Sequence, residues 1–267
     1  MDVYIYYVSY FLYFLATGFY LSNILKENQK ALKIGKIILS SGLVLHTVAI
    51  LLRWVIASRP PFSNQYEFAF TFSWGIALVF IVMMYIYKIN NLGIFITPVL
   101  LLVATYSLFL SKEIQPLMPA LRSNWLFFHV FTAVLGYGAF AVAFGLGILF
   151  IMKNIIEKRY TQIKKISRED LDYLIYRINS FGFLFLTITI ITGAIWAQKA
   201  WTRYWAWDPK ETWSLVTWII YAVFLHIRIS RGVRGNKLAW FSIIGFISVI
   251  FTYVGVNYVL PSLHSYM

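Results

Sequence analysis

Long apolar runs recur along the whole chain, each close to the roughly 20 residues an α-helix needs to cross a hydrocarbon core. Cutting the sequence at its charged clusters gives about eight such runs, over residues 3–25, 37–57, 67–87, 92–110, 125–152, 174–198, 209–229 and 238–259. Composition agrees: 60% of residues are hydrophobic and 12% charged, against roughly 45–50% and about 25% in soluble domains. The expected architecture is all-α: a polytopic integral membrane protein of about eight transmembrane helices forming a single domain over residues 1–267. No low-complexity tract or long linker divides it, and no internal repeat of the kind that marks many secondary transporters stands out.

A net charge of +13 in a soluble protein would raise the question of nucleic acid. Here the cations gather in short segments between apolar runs, as membrane orientation signals do, and nucleic-acid binding is set aside. Loops after the odd-numbered runs hold Lys26, Lys30, Lys33, Lys36, Lys88, Lys153, Lys158, Arg159, Lys164, Lys165, Arg168, Arg228, Arg231, Arg234 and Lys237. The opposite loops carry only Arg59, Lys112, Arg122, Lys199, Arg203 and Lys210. Excess cations mark the cytoplasmic side, so both termini are expected outside, on the periplasmic or lumenal face. The first run lacks a basic flank and a small-residue cleavage site, and reads as a retained helix. There is no cysteine, so thiol chemistry has to use a partner's thiols.

The chain has four histidines. His129 opens the fifth run on the outer side and His264 follows the eighth, whereas His46 and His226 lie inside the second and seventh. An isolated surface histidine is ordinarily a satisfied packing residue. Intramembrane ionisable residues are costly in hydrocarbon and tend to face a cavity, a partner or a pathway. Six-coordinate haem iron takes two axial imidazoles, so two outer and two buried histidines suggest two pairs. Depth weakens the buried pair: His46 is about 15 Å from Lys36 but His226 only about 8 Å from Arg231, at 1.5 Å per residue. Arg53, two turns beyond His46 on the same helical face, reads equally well as a haem propionate partner or as an arginine snorkelling to the outer interface.

Six of the ten tryptophans fall between Trp196 and Trp218. Trp196, Trp213 and Trp218 suit an interfacial aromatic belt. Trp201, Tyr204, Trp205 and Trp207 crowd one short connection, and flat rings there offer a porphyrin a stacking surface. Asp208-Pro209-Lys210-Glu211 has the form of a helix start, with Asp as N-cap, Pro at the first position and Glu three residues on. Lys199, Arg203 and Lys210 supply cations suited to propionates or to lipid headgroups.

With these residues in place, the chain resembles the CcsA/ResC component of the System II cytochrome c synthase, within the wider haem-handling protein family. The resemblance rests on Trp201-Thr-Arg-Tyr-Trp205-Ala-Trp207-Asp208-Pro-Lys-Glu-Thr-Trp213, which looks like that family's "WWD" signature. Arg59-Pro-Pro-Phe-Ser-Asn-Gln-Tyr66-Glu67, Tyr176-Arg177, Gly193-Ala-Ile-Trp196-Ala and the order of the histidines extend it from about His46 to His264. One departure is Thr202, where the family commonly has glycine, which leaves the local turn open. The resemblance implies His129 and His264 as outer ligands of haem b iron and His46 and His226 as an intramembrane pair. The candidate haem surface is Trp201, Trp205, Trp207 and Asp208 in an outer segment over residues 196–213, with Arg203 beside it and Arg53 beyond His46. Haem would cross from the cytoplasmic side and be joined through its vinyl groups to the Cys-x-x-Cys-His thiols of an apocytochrome c. The implied partners are a CcsB/ResB-type membrane protein, the apocytochrome and a thioredoxin-like thiol reductant. The implied location is a bacterial cytoplasmic membrane rather than a thylakoid.

No residue is required as a general acid, although Asp208 or Glu211 has suitable chemistry. Two rivals share parts of the pattern. A CcmC-type protein would export or deliver haem without forming the thioether, and is expected to have fewer spans. A b-type electron-transfer subunit would hold permanent haem on His46 and His226 but leaves the outer tryptophans and His264 without a role.

Overall fold

The computed structural model describes residues 1–25, 28–157 and 166–259. Among them are eight long helices, in the order and near the places expected, and no strand. They are α1 (Asp2–Leu25), α2 (Gln29–Ala57), α3 (Gln65–Tyr87), α4 (Gly93–Leu108), α5 (Asn124–Ile156), α6 (Arg168–Trp201), α7 (Pro209–Arg231) and α8 (Asn236–Ile250). A π-type turn, Phe251–Gly255, and a last helical turn, Val256–Val259, carry α8 onward. Helices α2, α3, α5, α6 and α7, with α8 followed to Val259, are long and apolar enough to cross a membrane. The protein is an all-α integral membrane protein. α1 is long enough but tyrosine-rich, and α4 has 16 residues, about 24 Å against a core of about 30 Å.

Local signals set the ends. Asn28, Asn64, Ser123 and Ser167 cap the N-termini of α2, α3, α5 and α6 with side-chain acceptors. Asp208 and Glu211 form a reciprocal capping box with Pro209 in the first turn of α7, as the sequence predicts. Several helices overrun the apolar windows: α5 has 33 residues and α6 has 34, about 50 Å each. Hydropathy locates the lipid-facing stretch, whereas caps locate the helix end.

The helices run alternately up and down. Arg53 at the end of α2 meets Asp2 at the start of α1 and Glu67 at the start of α3. The Tyr253 hydroxyl beyond α8 donates to the Gln65 carbonyl at the start of α3, 2.8 Å away. One end of the bundle therefore gathers the N-termini of α1, α3, α5 and α7 and the C-termini of the others. On the orientation expected from the loop cations, that end is the outer face, and it is called the outer end.

α5 is the central element, packed on α3, α4, α6 and α8. Its glycines let backbones touch. A Cβ on Gly138 would lie 2.7 Å from the Gly75 carbonyl carbon of α3, and one on Gly147 would lie 2.9 Å from the Ala239 carbonyl oxygen of α8. Small residues at such crossings are how membrane helices gain dispersion and weak polar contacts. The largest buried cluster draws on all eight helices.

At the outer end a buried ion cluster ties α1 to α3. Arg53 Nε donates to Glu67 Oε1 at 3.1 Å, its Nη1 to Asp2 Oδ2 at 3.1 Å, and both terminal nitrogens to the Lys112 carbonyl at 3.1 Å. Arg59 Nη1 donates to Glu67 Oε2 at 2.8 Å, and the Ser63 amide and hydroxyl donate to the same oxygen. At the opposite end the buried pair Asp172–Arg228 joins α6 to α7, and Asp172 accepts the Gly235 amide.

Two predictions follow from this architecture. Glu67→Gln should cost about 3–5 kcal/mol, because it removes the charge that compensates two buried guanidinium groups; an unchanged thermal midpoint in detergent would contradict the cluster's role. On this cysteine-free chain, single cysteines at Tyr204 and Arg231 should react with an impermeant maleimide from opposite faces, Tyr204 from outside; the reverse pattern would invert the topology.

Candidate functional site

At the outer end a cleft opens between α3, α5, α6, α7 and the turn beyond α8. Its walls are mainly apolar: Phe62, Phe68, Leu126, Val130, Tyr137, Ile190, Trp196 and Tyr253, with Tyr204 and Trp205 from the tryptophan-rich connection. Polar groups are few, among them Asn64, Gln65, His129, Lys210, Glu211 and Asn257.

His129 stands on the first turns of α5, half-buried in this wall. Its Nδ1 lies 2.9 Å from the Thr189 carbonyl oxygen on α6. A carbonyl only accepts, so Nδ1 carries the proton and Nε2 is the basic nitrogen, the form in which a histidine binds iron. Thr189 is itself held by the Thr132 hydroxyl at 3.0 Å, one turn along α5. The ring fits because residue 193 is glycine: a Cβ there would lie 2.7 Å from both His129 Cε1 and Nδ1. Trp196, one turn on, stacks near-parallel to the imidazole at 5.8 Å and donates its Nε1 proton to the Ala120 carbonyl at 2.9 Å. Gly193 and Trp196 thus belong to one device that seats His129.

The tryptophan-rich connection divides by residue. Trp205 lines the cleft. Trp201 packs edge-on against Trp196 at 4.9 Å, buttressing the His129 wall from outside the lining. Trp207 is 68% exposed and touches Trp205 edge-on at 5.8 Å. Of the three proposed haem tryptophans, therefore, only Trp205 faces the cleft. Thr202 ends α6 in the left-handed region at φ 62°, the conformation that makes glycine common at such a position. The departure at Thr202 therefore retains the turn.

Asp208, 5% exposed, caps α7 through the Lys210 amide. Glu211 Oε2 accepts from the Ala206 and Asp208 amides at 2.7 and 3.2 Å. Both carboxylates serve as acceptors that shape the connection, which disfavours either as a proton donor. Arg203 is exposed and stands outside the lining, whereas Lys199 lies 6.0 Å above the Trp125 ring on a separate surface hollow.

Arg53 is 1% exposed, with all three guanidinium nitrogens bonded within the ion cluster. It is neither snorkelling nor facing the cleft, because two carboxylates and two carbonyls hold it inside. His46 is fully buried among Tyr6, Tyr13 and Phe70, with Nδ1 3.2 Å from the Tyr13 hydroxyl and Nε2 lacking a hydrogen-bond partner. His226 is exposed on α7 and reaches only Ser230, at 3.5 Å. Since α2 packs on α1 and α3, and α7 on α6 and α8, the structure does not bring His46 and His226 together. His264 lies outside the described residues.

Comparison with known proteins gives the site its setting. Residues 62–264 match the family model described as cytochrome C assembly protein. The chain belongs to this family. It is 38% identical over 250 residues to a cytochrome c biogenesis protein CcsA of Chlamydomonas reinhardtii, covering 90% of this chain and 70% of that one. It is 35% identical to CcsA proteins of Trieres chinensis, covering 96% of this chain and 93% of the relative, and of Prochlorococcus marinus (strain MIT 9301), covering 84% and 81%. Among solved structures it resembles the cytochrome c haem lyase CcmF with a TM-score of 0.73 at 13% identity. That likeness is one of fold, and it covers 98% of this chain but 47% of the other.

The cleft contains residues that sequence reading missed: Phe62, Asn64 and Gln65, Tyr137, Thr189, and Tyr253 with Asn257. The segment from Arg59 to Glu67 was legible as a matching stretch, but not as a cleft wall. Gly193→Ala should displace the His129 ring and, if the cleft takes haem, reproduce most of the loss of haem expected of His129→Ala, read from the Soret band of the purified protein. A normal spectrum in Gly193→Ala would show that the ring position does not matter.

Proposed function

We propose that this protein acts in System II cytochrome c biogenesis, holding haem b in the outer cleft for thioether attachment to the Cys-x-x-Cys-His motif of an apocytochrome c. The observation that carries the reading is His129: its Nδ1 proton is donated to a backbone carbonyl and its ring opens on an apolar cleft walled by Trp205. That combination suits an axial ligand and a flat apolar substrate.

His264 is the proposed second outer ligand. Asn257 lines the cleft, and His264 follows it by seven residues, so it is at most about 25 Å along the chain from that rim at 3.6 Å per residue. The incoming motif histidine would replace one of the two imidazoles. Thiol addition to a vinyl group conserves the proton and both electrons of the S–H bond, so the protein's contribution is position and exclusion of water. The thiols come from the apocytochrome, since this chain has none. A CcsB/ResB-type membrane protein and a thioredoxin-like reductant are the proposed partners. Synthase chemistry is preferred to CcmC-type delivery because identity to the CcsA relatives extends over most of the chain. The separation of His46 from His226 sets the inner pair apart from this reading.

Co-expression of the chain, its System II partner and a Cys-x-x-Cys-His apocytochrome, in a host without a maturation system, should yield covalently haem-stained cytochrome. His129→Ala should reduce that yield by at least tenfold, the scale of losing one well-placed polar contact or more. Haem-loaded protein that makes no covalent product would favour the delivery reading instead.

A further inference from the structure

Two side-chain amides in the cleft wall have bonds left to make. Asn257, in the last helical turn beyond α8, is 5% exposed and lines the cleft. Its Nδ2 donates to the Tyr253 carbonyl at 2.9 Å, which fixes the spare atom as Oδ1, and that oxygen is closed to solvent with no donor on it. Gln65, the first residue of α3, lines the same cleft, and its Nε2 is buried without an acceptor. Buried donors and acceptors are ordinarily paired, so two orphans at one ligand cleft mark bonds that an occupant supplies. Tyr253 sets both amides. Its hydroxyl donates to the Gln65 carbonyl at 2.8 Å, its own carbonyl holds Asn257, and its ring packs on Phe68 at 4.7 Å.

The pair is one donor and one acceptor, which decides between the two molecules that meet in the proposed reaction. Haem has methyl and vinyl groups, ionised propionates and iron-bound pyrrole nitrogens, so it brings no hydrogen-bond donor to Asn257 Oδ1. A polypeptide brings one N–H and one C=O at every residue but proline, and in an extended strand the two point to the same side. We infer that Gln65 and Asn257 form a seat for the main chain of the acceptor polypeptide, whose N–H donates to Asn257 Oδ1 and whose C=O accepts from Gln65 Nε2. The inference rests on the reading of the cleft as the place where haem meets an apocytochrome, and it assigns the polypeptide to the wall built by α3 and the end of α8. His129 stands on the α5 wall. Main-chain recognition suits a Cys-x-x-Cys-His segment, because its two central residues are unspecified and backbone bonds make no demand on them.

The test is an amide-to-ester scan. A synthetic peptide spanning a Cys-x-x-Cys-His motif, with both thiols methylated so that no thioether forms, is titrated calorimetrically into the haem-loaded full chain, copurified with its System II partner in detergent. Each ester replaces one peptide N–H by oxygen and so removes a single donor. In the wild-type protein one ester position should weaken binding roughly tenfold, the scale of one buried hydrogen bond, and in Asn257→Leu that same ester should cost nothing further. Gln65→Met, which keeps the side-chain length, should weaken the all-amide peptide by a similar factor and carries the test on a separate helix if Asn257→Leu does not fold. Thermal midpoints in detergent report the folding of each variant. An ester penalty that persists in Asn257→Leu, or an affinity unchanged in Gln65→Met, overturns the seat, as does wild-type protein that holds haem but no peptide; the haem reading survives all three. Wild-type protein that retains no haem overturns that reading as well.

Discussion

The bundle depends on backbone contact along α5. Lipid tails are as apolar as leucine, so burying a side chain between membrane helices gains little from water exclusion, and close van der Waals approach has to supply the cohesion. Gly138 against Gly75 and Gly147 against Ala239 bring α3 and α8 onto opposite parts of one helix. Gly136, where a Cβ would lie 3.3 Å from the Gly182 carbonyl oxygen, does the same for α6. The helix that makes these contacts also carries His129 at its outer end. The position of that ring relative to the walls built by α3, α6 and α8 is therefore inherited from glycine contacts deeper in the bundle.

Polar groups then decide what the outer end looks like. A buried ion cluster such as Arg53, Glu67, Arg59 and Asp2 contributes little net stability compared with an apolar replacement, but loses much when one partner is removed. Its value here is geometric. Glu67 holds the Ser63 amide and hydroxyl while Asn64 caps α3, which shapes residues 62–65 into a wall of the cleft. Arg53 and Arg59 also hold the carbonyls of Lys112 and Gln115, fastening the segment that follows α4. The Tyr253 bond to Gln65 then locks the π-type turn beyond α8 against the same wall.

Much of the fold was legible in the sequence because hydropathy and caps act locally. Eight helices stand near the eight expected places, and the start of α7 at Pro209 follows from Asp208 and Glu211 alone. The site was less legible, because which face a side chain takes is set by distant packing. Trp205 and Trp207 are two residues apart, yet one lines the cleft and the other is exposed; the left-handed φ of 57° at Trp207 turns the chain between them. Arg53 read as a propionate partner or a snorkelling arginine because its acidic partners are 51 and 14 residues away in sequence. Gly193 carried a usable signal, a small residue one turn before a tryptophan, but its meaning required knowing that His129 packs against it.

The proposed attachment of haem needs a site that promotes a reaction without an evident acid or base. Asp208 and Glu211, the two carboxylates nearest the connection, are held by backbone amides at the start of α7. Carboxylates so held fix the loop that carries Trp205. On the opposite wall the Thr132–Thr189–His129 chain fixes one imidazole tautomer before any ligand arrives. Both walls are thus set in advance by hydrogen bonds within the protein. On the proposed reading, a site organised in this way would lower a barrier by removing the entropy of orienting two large reactants, with side chains that need not themselves react.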